Sequence, residues 1–555
     1  MNLAPAKDVA QVFIFVDAFK LARGWIPHRP SDETWDTGEA IDLDDKGWVR
    51  SLPPDQEAGT LMMAELDEDY PGGRWTVLYD GEGELFFDWD ARIIDSEPGR
   101  ITLWVTPEIG IHLTIRETNP DNYIRNIRAI MPGCEETYAE QPFHPFYVDF
   151  LRQFSVLRFM DWADSNEPEN NVPEVGEWSA RITPDHASRG TIRGVAVEYM
   201  IRLANEVGAD PWINVPIVVT DDYLERLAAT VEEELDPERR VYVELSNEVW
   251  NPSFPQHFVA AQLGLDRGYD DAAERFRFFI PDHETFLAAL RFHSARSVEM
   301  FEAFETAFGT SSKRFVRVMA GFSPDGAELA NNVAEVLLDW QDAYTKTDKY
   351  AIAPYFGLFM AQEDYADNVV EMSVDDLIAT ATDDMRFMLS VGRAVSETTA
   401  ARGVDLVTYE AGQHMVQASE TSYPNDAVRD KLHMVHDDPR MFDIYQEYLA
   451  GWHEYSSLMN LFVDSLPLGR FGYISRWNQS ELYPKYIAVQ EFLQTIPFTF
   501  AGGGDGDRDV DYDDFFLFSE AFGTDDRRFD FDEDGRVDRT DFFGFVDVFG
   551  TQPVP

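Results

Sequence analysis

The chain has one cysteine, Cys134, among 555 residues. No disulfide can form within it, and a cysteine-based zinc site is excluded. Positive charge is also scarce: 45 Lys and Arg face 102 Asp and Glu, for a formal net charge of −57. A nucleic acid or an anionic membrane surface would be repelled by such a protein, so neither is expected as a partner. No run of 18 apolar residues occurs, so no membrane span is expected. The start, MNLAPAKDVAQVF, has no basic segment followed by a long apolar one. Either the protein is cytoplasmic or a signal peptide has been removed. His257, His283, His293 and His414 do not form an HExxH or similar spacing, which argues against a catalytic zinc.

The hydrophobic fraction is 44%, ordinary for a globular protein, and aromatics make up 14%. Large aromatics fill cores, and Trp and Tyr also offer planes on which the C–H faces of sugar rings stack. The acidic, Lys-poor composition fits a protein working in salty water, where screening weakens self-repulsion. At this length two to four domains are expected.

Three regions differ in pattern. Residues 39–135 read as a β-sandwich, with strands expected at 61–66, 74–79, 84–89, 101–105, 109–116 and 124–130. Turn signals YPGG (70–73), DGEG (80–83) and SEPGR (96–100) separate them. A strand-like run, VFIFVD (12–17), precedes this block, so the sandwich is expected as an insertion after the first strand of a larger domain, residues 1–38 and 136–498. In that domain strands are expected at 155–162, 211–217, 241–247, 314–321, 350–357, 404–412 and 458–464, with helices such as 190–208 and 292–309 between them. With 12–17 as the first strand, this is the eightfold strand–helix pattern of a (β/α)₈ barrel. An open doubly wound sheet fits less well, because no Gly-rich phosphate loop follows a strand.

The tail, 499–555, holds two Asp-rich segments, 505–523 and 532–550, in a repeat of 27 residues. In the second, Asp530, Asp532, Asp534, the Arg536 carbonyl, Asp538 and Asp541 fall at positions 1, 3, 5, 7, 9 and 12 of an EF-hand-type loop, with Gly535 at position 6. Hard oxygen ligands at this spacing suit Ca²⁺. The first segment is poorer. It offers Asp505, Asp507, Asp509, Asp511 and Asp514, but Gly503 stands at position 1 and Arg508 at position 6. Asp at position 12 and the tandem repeat resemble the dockerin family. That resemblance implies a small α-helical calcium module and a cohesin-like or cell-surface partner, and with it an extracellular location.

In a barrel the chemistry sits at the C-terminal strand ends. The fourth strand ends Ser246-Asn247-Glu248-Val249-Trp250, the sixth Pro354-Tyr355 and the seventh Tyr409-Glu410-Ala411-Gly412. Glycoside cleavage needs two carboxyl groups in different protonation states, one giving a proton and the other attacking the sugar or activating water. Glu248 and Glu410 are the pair. Asn-Glu ending strand four with Glu ending strand seven resembles clan A of the glycoside hydrolases, the retaining barrel enzymes that include many cellulases, mannanases and xylanases. By that resemblance Glu248 is the acid/base, Glu410 the nucleophile, and Asn247 a hydrogen-bond partner of the sugar 2-hydroxyl. Tyr355 contacts the nucleophile, Arg158 keeps it ionised, and Trp477 forms a sugar platform. Trp162, Trp212, Trp250 and His414 are further candidates for the cleft. The family's histidines are replaced here: Trp212 and Asn214 end strand three, and Ala353 stands two positions before Tyr355. The substrate expected is a polysaccharide of the β-glucan, mannan or xylan type, cut internally. A barrel that binds sugar without turnover and an exo-acting enzyme are the alternatives.

Overall fold

A computed structural model describes residues 1–188, 193–271, 276–277, 279–322, 326–416, 425–466, 471–474, 483–495, 512–524, 529 and 536–548. Two compact units result, Met1–Tyr483 and Pro484–Pro555.

Ten strands lie in the first 130 residues: β1 Ile26–His28, β2 Asp42–Leu43, β3 Val49–Ser51, β4 Glu57–Met62, β5 Gly73–Asp80, β6 Gly83–Trp89, β7 Ala91–Glu97, β8 Arg100–Val105, β9 Ile111–Thr118 and β10 Arg125–Ile130. Two four-stranded antiparallel sheets form from them, ordered β1-β4-β9-β6 and β10-β5-β8-β7. Alternate residues of both, among them Leu85, Phe87, Leu113 and Ile115 from one and Trp75, Val77, Ile101 and Leu103 from the other, share one core. Period-two burial is what turns their alternating pattern into sheets with one buried face. Gly59 in β4 is required by close approach. A Cβ there would sit 1.8 Å from His28 Nε2 and 2.8 Å from His112 Nε2.

Six parallel strands follow in chain order: β11 Val156–Arg158, β12 Asp210–Val215, β13 Val241–Leu245, β14 Phe315–Ala320, β15 Lys349–Ile352 and β16 Asp405–Thr408. Helices Val197–Val207, Asp221–Glu234, His283–Phe308, Ala327–Asp339 and Val374–Ala400 connect them. These strands are near-continuous apolar runs because both faces are covered. Trp212, Tyr242, Val316, Val318, Ala351, Val407 and Tyr409 pack together on one face. Ile213, Val243, Leu245, Met319, Ile352 and Leu406 pack on the other among residues of the helices. Each large apolar side chain fully buried this way contributes about 1.5–3 kcal/mol. Helix ends are set locally. Thr220 and Ser373 accept backbone N–H groups at two N-termini, and Gly208, at φ 81°, closes the helix ending at Val207.

One expectation is corrected. Residues 12–17 are not the first parallel strand. They carry isolated antiparallel bridges, Phe15 with Phe143 and Asp17 with Ile130. The parallel neighbour of β11 is instead the chain start, where Asn2 bridges Arg158. Leu3 N donates to Arg158 O at 3.1 Å and Arg158 N to Met1 O at 2.9 Å. At the other edge Met459 bridges Thr408, and Asn2 N donates to Leu461 O at 2.8 Å. An apolar run reports burial, not which strand it joins, and VFIFVD is buried in any case.

The second unit contains helices Pro484–Thr495, Tyr512–Ala521 and Arg539–Val548. Phe518, Ala521, Phe529, Val537 and Phe545 form its core, with the Phe518 and Phe545 rings stacked at 5.0 Å. Asp505, Asp507, Asp509, Asp511, Asp530, Asp532 and Asp534 lie outside the described residues, as does the side chain of Asp514. Of the remaining loop candidates, Asp541 is buried, and its Oδ2 accepts the Asp538 N–H at 2.7 Å. Arg536 precedes them at the edge of the described segment. Among the described residues no group of three His, Cys, Asp or Glu is arranged to hold a metal, and no helix is long and apolar enough to cross a membrane.

Candidate active site

Arg158, the last residue of β11, is fully buried and uses all five of its N–H donors. Nε and Nη2 reach Glu244 Oε2 and Oε1 at 2.9 and 3.0 Å. Nη1 reaches Asn2 Oδ1 at 3.0 Å and Glu410 Oε1 at 2.8 Å, and Nη2 also reaches Asn247 Oδ1 at 2.9 Å. One cation thus ties the chain start to the ends of β11, β13 and β16. Its attraction to Glu244 and Glu410 outweighs the burial that disfavours the charge, and holds its pKa above the ordinary arginine value.

Glu244 lies inside β13. It also receives the Trp212 indole N–H at 2.7 Å and Asn214 Nδ2 at 2.9 Å. With four donors and no exposure, it is spent on internal contacts. The backbone then turns sharply: Ser246 and Glu248 both have positive φ, 60° and 40°. For non-glycine residues this conformation costs about 1–3 kcal/mol each, and such strain gathers at functional sites. It aims Glu248 away from the strand. Glu248 Oε1 accepts the Tyr409 hydroxyl at 3.1 Å and Oε2 accepts Asn251 Nδ2 at 2.8 Å.

Glu410 differs in its partners. Oε1 is paired with Arg158, and Oε2 accepts the Tyr355 hydroxyl at 3.1 Å. Burial pushes both carboxyls up. For Glu410 the Arg158 charge and the hydrogen bonds from Arg158 and Tyr355 pull back toward the ionised form. Burial and then the charge of Glu410 raise Glu248, while its Asn251 and Tyr409 hydrogen bonds and the more distant charge of Arg158 only partly offset them, so it stands well above the usual carboxylate range. The two titrate as a pair. Burial and the neighbouring carboxylates keep the Tyr355 and Tyr409 hydroxyls protonated, as donors.

The structure brings Glu248, Glu410, Arg158, Asn247 and Tyr355 together. Asn247 is buried, held by Arg158 and by Asn166, whose Oδ1 accepts its Nδ2 at 3.0 Å. His414 stands beside this group, its ring edge-on to Tyr355 at 5.1 Å, and burial lowers its pKa to about 4, so it is neutral. Two tryptophan expectations are corrected. Trp162 is fully buried with its N–H on Ala4 O at 3.1 Å, and Trp212 is fully buried against Tyr242 and Glu244. Neither has a free face for a sugar. Trp250 is only 7% exposed and packs edge-on to Phe322 at 4.5 Å, so it too is mostly core. Trp477 lies outside the described residues.

Sequence reasoning missed Glu244, Asn2, Tyr409 and Asp161. Glu244 had a signal, a charge inside the apolar run VYVEL. Tyr409 adjoins Glu410. Asp161, just past β11, is pushed up to about 8 by burial and by the charge of Glu410. Asn2 had none, since its contacts are with residues far along the chain.

No family model matches the sequence, and no curated protein does. Among solved structures the chain is similar to a family 51 α-L-arabinofuranosidase from Bifidobacterium longum at 10% identity and TM-score 0.40, over 63% of this chain and 67% of that one. It is similar to a modular endo-β-1,4-mannanase from Cellulomonas fimi at 10% identity and TM-score 0.31, over 62% and 65%. An endo-1,4-β-xylanase from Caldicellulosiruptor owensensis matches at 10% identity and TM-score 0.32, over 62% and 92%. All three are glycoside hydrolases.

Proposed function

We propose that the protein hydrolyses glycosidic bonds of a polysaccharide by double displacement, with Glu248 as acid/base and Glu410 as nucleophile. The carrying observation is the asymmetry of two strand-end carboxyls. Glu410 is held by a cation and a tyrosine hydroxyl, whereas Glu248 has neutral donors alone. That is the division of labour the reaction needs. Glu410 in its ionised form attacks the anomeric carbon while neutral Glu248 gives its proton to the departing oxygen. Glu248, now a carboxylate, then takes a proton from water, which displaces Glu410 and returns both groups to their starting states. Arg158 and Tyr355 hold Glu410 in place throughout. Asn247, with its Oδ1 on Arg158 and its Nδ2 on Asn166, keeps one amide N–H for a sugar hydroxyl.

This reading takes the parallel sheet as a barrel closed by Met1–Leu3 and residues 459–461, with the antiparallel sheets inserted after the first strand. It also takes the tail as a dockerin-like calcium module of a secreted protein, with a cohesin-like or cell-surface partner. The substrate is a β-glucan, mannan or xylan, cut internally.

Glu248→Gln is expected to lose about 10²–10⁴-fold in kcat/KM on a polysaccharide panel, the usual worth of an acid/base, and Glu410→Gln, which removes the attacking group itself, at least as much. Azide should restore turnover to Glu410→Ala as an α-glycosyl azide, by a single inverting displacement, and to Glu248→Ala as a β-glycosyl azide, by attack on the glycosyl-enzyme. Ordinary activity in either carboxamide variant refutes the assignment. Inversion at the anomeric centre refutes the nucleophile alone. Calcium titration of the full chain should order the tail, with an acidic segment neutralised by the ion; no calcium-dependent change in melting would remove the module.

A further inference from the structure

The second antiparallel sheet carries a row in direct register. Arg74 of β5, Trp104 of β8 and Arg92 of β7 are mutual Cα partners, so their side chains leave one face of the sheet. All three are exposed, the indole by 44%. Their neighbours on the opposite face, Trp75 and Leu103, are fully buried. Among the described residues neither guanidinium has an ion-pair partner, and nothing stacks on Trp104.

The chain's net charge is −57, and several of its arginines are matched: Arg50 by Asp42, Arg116 by Glu57 and Glu84, Arg386 by Glu447. Carboxylates near the row do not serve it. Asp95 and Glu97 stand opposite Thr102 and Arg100, toward the β7–β8 hairpin. Asp90, at the other end, accepts the Tyr70 hydroxyl and the N–H groups of Glu108, Ile109 and Gly110 through one oxygen. What sets this row apart is the juxtaposition: two arginines without an ion pair flank an exposed indole on one face, a pairing of charge and aromatic plane that suits an anionic sugar.

We propose that Arg74, Trp104 and Arg92 form a binding site for a carboxylated polysaccharide, separate from the catalytic group. The indole would lie under the C–H face of a sugar ring. The backbones of Arg74 and Arg92 stand two strand spacings, ~10 Å, apart, and their guanidinium groups would take carboxylates in the paired geometry that arginine favours. Such a site would raise the local concentration of polymer around the enzyme. It does not depend on the catalytic reading, because it is read by binding.

The test is affinity electrophoresis and titration calorimetry of the full chain against polygalacturonate, a neutral mannan and a sulfated polysaccharide at several salt concentrations. Polygalacturonate should retard the protein, less so as salt rises, and the neutral polymer should not. Trp104→Ala and the pair Arg74→Gln with Arg92→Gln should each weaken binding at least tenfold. Melting profile and turnover of a small aryl glycoside should stay unchanged. Equal retardation by the neutral polymer, tighter binding of the sulfated one, or unchanged affinity in natively melting variants overturns the proposal.

Discussion

Replacing Arg158 by lysine separates charge from geometry. The cation remains, but five donors in a planar fork become three on a flexible stem. Five acceptor contacts converge on Arg158: two on Glu244 and one each on Asn2, Glu410 and Asn247. At least two must go unmet, each at a cost of about 1–3 kcal/mol for a buried group. The expected loss is ~2–6 kcal/mol, a large share of the 5–15 kcal/mol that holds a typical domain. Arg158→Met goes further. It leaves two buried carboxylates without a counter-ion, which costs about 3–5 kcal/mol, and its instability should grow with pH as those carboxyls are forced to ionise. Chemical denaturation followed by fluorescence, at several pH values, measures both. Arg158→Lys should also lose kcat on aryl glycosides, since Glu410 keeps a cation but not its fixed direction. A lysine variant within ~0.5 kcal/mol of the parent, with unchanged kcat, would show that the five-bond hub does not carry the site.

Activity should follow a bell in pH. Its acid limb is lost as Glu410 takes a proton, and its alkaline limb is lost as pH rises through the raised pKa of Glu248, a carboxyl that must be protonated to act. The alkaline limb should vanish in Glu248→Gln when an activated aryl glycoside is used; a limb that persists belongs to another group. Asp161 is pushed up to about 8, so the folded chain keeps a proton that the unfolded chain has lost, and stability falls as pH rises from about 4 to about 8. Asp161→Asn should therefore raise the melting temperature at pH 8 and not at pH 4, and an equal change at both would contradict the burial argument. Gly59→Ala places a methyl 1.8 Å from His28 Nε2. Overpacking of this kind costs about 1–3 kcal/mol, and a native melting curve for the variant would mean the two histidines are free to move.

Much of the parallel sheet was legible because strands covered on both faces are written as apolar runs, and β12 to β16 are such runs. The strand-end glutamates were legible for the same reason, once the strands were placed. What could not be read depends on contacts between distant residues. MNLAP has no strand pattern, yet Asn2 joins β11 to the segment at 461. VFIFVD has a strand pattern, yet its bridges are antiparallel and lie elsewhere. Tryptophans show the same limit. Composition counts them alike, whereas Trp162 and Trp104 differ completely in exposure.

The two glutamates of VELSNEVW make the point most sharply. Glu244 and Glu248 are four residues apart, both on or beside β13, and either could be named as an acid from the sequence. Hydrogen-bond accounting separates them. Glu244 accepts four bonds, two of them from a guanidinium, and is fully buried, so a sugar cannot reach it. Glu248 accepts two from neutral donors and stands next to the charge of Glu410. The first therefore orients Arg158, and through it Glu410. The second is the carboxyl whose proton is available. A charge in the middle of an apolar strand is thus the sign of a buried partner, and the one just past the strand end, on strained backbone, is the sign of chemistry.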